Sequence, residues 1–428
     1  MQGWRYGPQM PNSNGALDVS VKGNAVIGQS GGPTTVINQS LVGAIEELAL
    51  HAEIGKILGA RHGVRGILNG DFVSLNNLST DLLEQVAQTP SSALGSTRDK
   101  PDQDYCVKLL EAFKKHDVQY FFYIGGNDSA DTARIVSEMA AQTGHPLRVY
   151  HVPKTIDNDL RTTDHCPGYG SAARFVALAV MGDDLDNRSL KGVKIDVIMG
   201  RDAGWLTAAS ALARHDETDG PHLIYVPEVD FSEDKFLADV DRVYTKLGRC
   251  VVAASEGIRF KAGDKNSLVT EKAVQGGEVD AHGNKQLSGT GALGDYLSDL
   301  VKNKLGAQLQ KSTGAKMRVR ADTFGYLQRS FPTIVSPTDA FEARLCGAMA
   351  VRYALSAPEG LTSGSVAMRR VSEHPYKIET FATALGNVAR QTKPLDATWV
   401  INGCDVAADF VTYAKPLVGP LPIPGKLI

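Results

Sequence analysis

The segment Val152-Pro153-Lys154-Thr155-Ile156-Asp157-Asn158-Asp159 sets a lysine, a hydroxyl and two carboxylates side by side, just past the apolar-leaning run Leu147–Val152. In an open α/β sheet, residues just beyond the carboxyl end of a strand face the ligand crevice. Acids at i and i+2 beside a lysine suit chemistry that takes up a proton while a multiply charged anion is held in place. Pro, Asn and Asp are equally ordinary turn residues, so a polar turn also accounts for this segment taken alone. The remaining strand ends have to decide.

Five more short apolar runs end in comparable groups. Asn24–Gly28 leads into Gln29-Ser30-Gly31-Gly32-Pro33 and a helix carrying Val36, Ile37, Leu41, Ile45 and Leu48 at three- and four-residue steps. Tyr120–Ile124 leads into Gly125-Gly126-Asn127-Asp128-Ser129 and a helix with Ile135, Val136 and Met139. Glycine loops between a strand and a helix start expose backbone N–H groups to an anion. Neither loop matches the dinucleotide fingerprint or the GxxxxGK[ST] phosphate loop, and Asp128 or Ser129 could simply cap its helix. Two such loops at neighbouring strands would form one concave phosphate cradle. Lys194–Met199 runs into Gly200-Arg201-Asp202-Ala203-Gly204, His222–Val226 into Pro227-Glu228, and Cys250–Ala254 into Ser255-Glu256-Gly257. Arg201, Glu256 and the later Gly325-Tyr326-Leu327-Gln328-Arg329, preceded by Arg320, are weak signals singly. The last of them also reads as a polar strand.

The elements that must position these groups are alternating strands and helices, hence βαβ units and mainly parallel sheets. The chain has 428 residues, 43% hydrophobic and 22% charged, enough for two or three domains with a sizeable core. A net charge of −3 argues against nucleic acid or an anionic membrane as the main partner. The five cysteines, Cys106, Cys166, Cys250, Cys346 and Cys404, are scattered and never form a CxxC pair. That pattern fits reduced thiols in a cytoplasmic protein better than a disulfide frame or zinc site. The polar stretch Met1–Gly23 is expected to be an N-terminal extension without a signal peptide, and no apolar run reaches membrane-spanning length. Residues 261–290, rich in Lys, Gly, Asp, Asn and Gln, are expected to be a solvated or mobile insertion before a helix at Gly294–Lys304. Lys415-Pro416 to Pro424-Gly425 is expected to be an extended arm on the body or on a neighbour.

Taken in this order, the motifs from about Asn24 to Arg329 resemble the phosphofructokinase family, and within it the pyrophosphate-dependent branch. Lys154 stands where the ATP-using branch typically has glycine. Asp128 stands where that branch has a small glycine in a Gly-Gly-Asp-Gly-Ser type loop. Asp164-His165-Cys166-Pro167-Gly168-Tyr169-Gly170-Ser171-Ala172-Ala173 is similar to the same branch.

The resemblance implies two Rossmann-like α/β domains with the active site in the cleft between them. One would comprise residues 24–165 and about 329–400 and hold pyrophosphate; the other, 166–328 and about 401–428, would hold fructose 6-phosphate. The implied reaction is reversible phosphoryl transfer from pyrophosphate to the 1-hydroxyl, in glycolysis or gluconeogenesis, with Mg²⁺ as cofactor. Asp157 would be the base, Asp159 its orienting partner, and Thr155 and Ile156 would line the transfer site. Gly31, Gly32, Gly125, Gly126, Asp128 and Lys154 would hold the donor. Met199, Gly200, Arg201, Glu256, Tyr326 and Arg329 would hold the sugar phosphate. Arg320 matches a phosphate contact that comes from the adjacent subunit, implying a homodimer or homotetramer with a shared site. The family's second cross-subunit arginine has no counterpart; Lys191 and Lys194 stand nearest it.

Asn127 replaces the family's magnesium-associated acid. An amide is a weaker oxygen ligand, so Mg²⁺ would be held mostly by phosphate and water, or by Asp128, Asp157 or Asp159. Like charges about 4 Å apart repel by roughly 4 kcal/mol at an effective dielectric of about 20, so Asp128 beside a nucleotide's α-phosphate would select against ATP. The alternatives are an ATP-dependent phosphofructokinase, a related NAD or lipid kinase, and a non-catalytic sugar-phosphate-binding regulatory subunit. Sedoheptulose 7-phosphate is a conceivable second acceptor.

Overall fold

The computed structural model describes residues 21–273 and 290–427. Most of the expected N-terminal extension and residues 274–289 of the expected insertion therefore lie outside the described residues.

Strands β1 (Gly23–Gln29), β2 (Ile54–Ala60), β3 (Phe72–Ser74), β4 (Val118–Gly125) and β5 (Arg148–Pro153) belong to one sheet. Strands β6 (Val193–Ile198), β7 (Leu223–Tyr225), β8 (Cys250–Ser255) and β9 (Val319–Thr323) build a second. The chain then returns to the first sheet with β10 (Gly364–Glu373) and β11 (Tyr376–Thr383). The strand orders are β11-β10-β5-β4-β1-β2-β3 and β7-β8-β6-β9. Pairing is parallel throughout the smaller sheet. In the larger one only the edge strands β3 and β11 run antiparallel. This is the expected α/β class with mainly parallel sheets.

The near-continuous apolar strands have a simple cause. Tyr120, Phe122 and Ile124 of β4 enter one core while Phe121 and Val118 enter the core on the opposite face. A strand covered on both faces has no polar side to alternate with. The same holds in the smaller sheet, where Ile198 and Ala253 face one core and Ile195, Val197 and Val252 the other. Helix Asn127–Gln142 follows β4 directly at a tight corner, whereas residues 30–36 form a loop between β1 and helix Ile37–Leu48. Helix Pro337–Ser356 starts where sequence chemistry favours it, with Pro337 in the first turn and the Ser336 side chain accepting from the Asp339 N–H.

Several local expectations are corrected. Gly325–Arg329 is a 3-10 turn after β9, not a strand. Helix Asn127–Gln142 has no side-chain cap: Ser129 Oγ instead donates to Ser30 Oγ at 2.9 Å, joining the two glycine loops. The helix expected at Gly294–Lys304 runs on as Ala292–Val301, a π turn at Lys302–Gly306 and a further turn at Ala307–Thr313. Within 261–290, Leu268 and Val269 are buried, so the described part is anchored rather than wholly solvated. Lys415 and Pro416 belong to helix Ala408–Val418; only the residues beyond it form an extended arm. That arm lies on the body, where Arg174 Nη1 donates to the Pro420 carbonyl at 2.6 Å and Lys426 Nζ to Asp216 Oδ2 at 2.6 Å. All five cysteines are free and buried. No helix among the described residues is long and apolar enough to cross a membrane.

Candidate active site

Strand register brings the chemistry together. β4 lies between β1 and β5, with Gln29 opposite Ile124 and Gly125 opposite Pro153. The loops at 29–33, 125–129 and 153–159 therefore emerge side by side. In the smaller sheet β6 lies between β8 and β9, with Ile198 opposite Ser255 and Val197 opposite Thr323. That groups the loops carrying Met199-Gly200-Arg201, Glu256 and Gly325–Arg329. Gln328 Oε1 accepts from the Met199 N–H at 3.3 Å, and Ser255 Oγ donates to the Gly200 carbonyl at 2.6 Å.

Two cations bridge toward the glycine loop. Lys154 is buried and its Nζ donates to the Gly32 carbonyl at 2.7 Å. A Cβ on Gly31, whose φ is +74°, would stand 3.2 Å from that Nζ, and a Cβ on Gly32 would stand 3.3 Å from Arg329 Cζ. Side chains at these positions would push both cations off the loop. The Arg329 guanidinium lies 4.8 Å above the Tyr326 ring, and its carbonyl accepts from Thr35 Oγ1 at 3.2 Å. The 3-10 turn thus crosses from the smaller sheet to the glycine loop of the larger one.

Burial pushes the Lys154 ammonium down to about 7, helped by the Arg329 charge and opposed by Asp157. Burial raises the Asp157 carboxyl, while Arg329 and Lys154 pull it back. Asp159 is pushed up to about 7 by burial and then by the Asp157 charge. Thr155 Oγ1 accepts from the Asp157 N–H at 3.1 Å, which fixes the turn. Between the acids, buried Asn158 holds a left-handed φ of 55°. Its amide donates to the Tyr413 hydroxyl at 3.0 Å and accepts from the Cys166 N–H at 2.9 Å. The arrangement can take up a proton between clamped cations and bind anions on both sides of it.

The phosphofructokinase family matches residues 24–354. The chain belongs to this family. It is 51% identical over 93% of its length, and 95% of the relative's, to the pyrophosphate--fructose 6-phosphate 1-phosphotransferase of Rhodospirillum rubrum. The same-named protein of Halomonas elongata is 36% identical, over 92% of this chain and 91% of that one. The crystal structure of a pyrophosphate-dependent phosphofructokinase from Nitrosospira multiformis superposes with a TM-score of 0.80 at 34% identity, covering 94% of this chain and 93% of that one.

Within this phosphofructokinase fold, most expected site residues lie on these neighbouring loops, but four sit or point elsewhere. Arg320 is exposed on β9, on the strand rather than in the loop that carries Arg329. Asp128 is 66% exposed and pairs with Lys100 at 3.4 Å. Lys194 is committed to Asp183 and Asp322, while Lys191 is exposed. Asn127 suits a metal better than its residue type suggested. Its amide nitrogen donates to Asp159 Oδ2 at 3.3 Å, leaving Oδ1 buried without a hydrogen-bond partner. An orphaned carbonyl oxygen next to a carboxylate is a donor pair that a hard cation would satisfy.

Sequence reasoning missed several neighbours. Arg98 adds positive charge at Lys154, and Asp202 adds negative charge at Asp157 and Asp159. Arg98 follows Gly95-Ser96-Thr97, a third glycine-containing loop that could have been flagged; its Ser96 Oγ donates to the Gly31 carbonyl at 2.6 Å. Buried His151 was also missed. It bonds the Gly125 carbonyl at 2.8 Å and the Ser365 hydroxyl at 2.8 Å, supporting the second glycine loop from below.

Proposed function

We propose that this chain transfers a phosphoryl group from pyrophosphate to the 1-hydroxyl of fructose 6-phosphate, giving fructose 1,6-bisphosphate and phosphate, and runs in both directions. The observation that carries the reading is the 51% identity over nearly the whole chain to the Rhodospirillum rubrum phosphotransferase. Lys154 on the glycine loop supports the choice of donor.

In the forward direction Asp157 takes the proton of the 1-hydroxyl as the new O–P bond forms. The bridging P–O bond of pyrophosphate breaks and orthophosphate leaves. Burial makes Asp157 a stronger base than a solvated aspartate, and Arg329 and Lys154 favour its ionised form. Lys154, Arg98 and the amides of Gly32, Gly125 and Gly126 bind the donor's oxygens, while Gly31, whose N–H donates to the Thr97 carbonyl at 2.9 Å, shapes the loop. Arg201, Met199, Gly200, Glu256, Tyr326 and Arg329 bind the sugar phosphate. Asn127 and Asp159, with Asp157, would hold Mg²⁺. That ion, when bound, neutralises charge on the transferring group. Arg320, exposed on β9, serves the 6-phosphate site of a neighbouring copy in a cytoplasmic homodimer or homotetramer.

Asp128 selects the donor by charge. Its exposure and its pairing with Lys100 reduce the repulsion well below the value for an isolated buried pair. Donor choice therefore rests on Lys154 as much as on Asp128. The test is turnover of purified protein with Mg²⁺, fructose 6-phosphate and either donor. Pyrophosphate should be used well and ATP poorly; the reverse preference overturns the assignment of donor, and no turnover with either overturns the enzyme.

A further inference from the structure

The catalytic acids are tied to the rest of the cleft by a segment far away in sequence, Gln391–Leu395. Thr392 forms an antiparallel bridge with Leu160. The Lys393 N–H donates to the Asp159 carbonyl at 2.6 Å. The Lys393 ammonium donates to the carbonyls of Thr163 at 3.0 Å and Asp164 at 2.7 Å, so one residue clamps both ends of the turn Asp159–Asp164.

The other side of this strap holds the acceptor loop. Trp205, next after Arg201-Asp202-Ala203-Gly204, donates its indole N–H to the Lys393 carbonyl at 3.0 Å. The Lys393 ammonium lies 5.0 Å from the centre of a Trp205 ring, within range of a cation–π contact. Glu228 Oε1 accepts from both the Gly204 and the Leu395 N–H, each at 2.9 Å. Lys393 thus stands where the turn after β5 meets the turn after β6. The charges differ in weight: Arg329 and Lys154 lower the Asp157 carboxyl, whereas Lys393 is the cation that lowers Asp159, and Asp202 raises both.

We propose that Lys393 is a positioning residue for phosphoryl transfer: it locks the Asp157–Asp159 turn against the Arg201–Trp205 loop, so that base and acceptor hydroxyl meet in register. The proposal rests on the phosphotransferase reading above. The Lys393 ammonium is committed to two carbonyls and the Trp205 face, so its loss should reach the chemical step and leave binding largely intact.

The experiment compares wild type, Lys393→Met and Lys393→Arg in steady-state kinetics with pyrophosphate, alongside thermal melts. A displacement of about 1 Å at reacting groups can cost about a hundredfold. Lys393→Met is therefore expected to lower kcat by about ten- to a hundredfold, with the KM of each substrate changed less than about threefold. Lys393→Arg, which keeps the charge over Trp205, should recover kcat to within about fivefold of wild type. Should Lys393→Met fail to fold, Lys393→Gln, neutral and one bond too short to hold both carbonyls, takes its place with the same expected loss. A folded neutral variant with wild-type kcat overturns the proposal, as does a loss carried by KM alone, or one that Arg does not relieve. Wild-type turnover with pyrophosphate tests the underlying reading separately.

Discussion

Two groups of acids in this molecule each contain carboxyls raised by burial and differ in everything else that makes a site. Asp157 and Asp159 lie at the cleft; Asp183, Asp196 and Asp322 lie at the β6–β9 side of the smaller sheet. Burial raises the carboxyls of Asp157, Asp159 and Asp196 alike. The second group is also the only trio of potential ligands close enough to share a metal among the described residues. Yet its cation is already present: Lys194, two residues before Asp196 on the same strand, reaches Asp183 at 3.3 Å and also contacts Asp322. At the cleft Arg329 and Lys393 come from segments far from the acids in sequence and join Lys154, which precedes Asp157 on the same turn beside the glycine loop. A perturbed carboxylate marks a site only when converging elements leave room for a substrate.

That contrast is breakable by mutation. The largest expected effect is Asp157→Asn, which should lower kcat by about 10²–10⁴-fold while the protein stays folded; near-normal turnover would show that Asp157 is not the base. Lys154→Met should cost roughly 10²–10³-fold in pyrophosphate-dependent kcat, because it removes a fixed positive donor from the developing charge. Asp128→Gly should improve the KM for ATP by about tenfold or less, reflecting the weakened repulsion of a partly exposed acid paired with Lys100.

Asp196→Asn should have the smallest kinetic effect, with kcat within about threefold of wild type, since the group lies outside the cleft. Its signature is in stability. A carboxyl raised above its unfolded value keeps its proton longer in the folded chain, so folding stability falls as pH rises from the ordinary aspartate range. Urea titrations from about pH 4 to 7 should show this fall in wild type and a flatter dependence in the variant. Equal slopes would remove the burial argument for Asp196, and a large loss of turnover would erase the distinction between the two groups.

Much of the fold was legible because parallel strands covered on both faces read as apolar runs. Tyr120–Ile124 and Cys250–Ala254 could be placed without knowing their neighbours. The chemistry at their ends was legible because glycines, Lys154 and the two acids lie within a few residues of those runs. Less legible were contacts that depend on which loops meet. Nothing near Lys393 in sequence resembles a site, and its partners are Asp159, Thr163, Asp164 and Trp205. Asp128 and Lys154 stand at conspicuous family positions, but one points toward solvent and Lys100 while the other is buried on Gly32. The π turn after Val301 and the 3-10 turn at Gly325 have no periodicity signature, because each is shorter than the window over which a period can be read.

The amino-acid sequence by itself determined the α/β class, the six loaded strand ends and the pairing of Lys154 with Asp157 and Asp159, because these follow from local hydrophobic pattern and neighbouring residue types. The tertiary structure alone decided which charges face each other. Coulombic and hydrogen-bonding energies depend on distance in space, and strand order sets that distance. It put Arg329 on Gly32, gave Asp159 the distant Lys393, left Asn127 Oδ1 without a partner beside Asp159, and set Asp196 in an acid cluster with Lys194 outside the cleft.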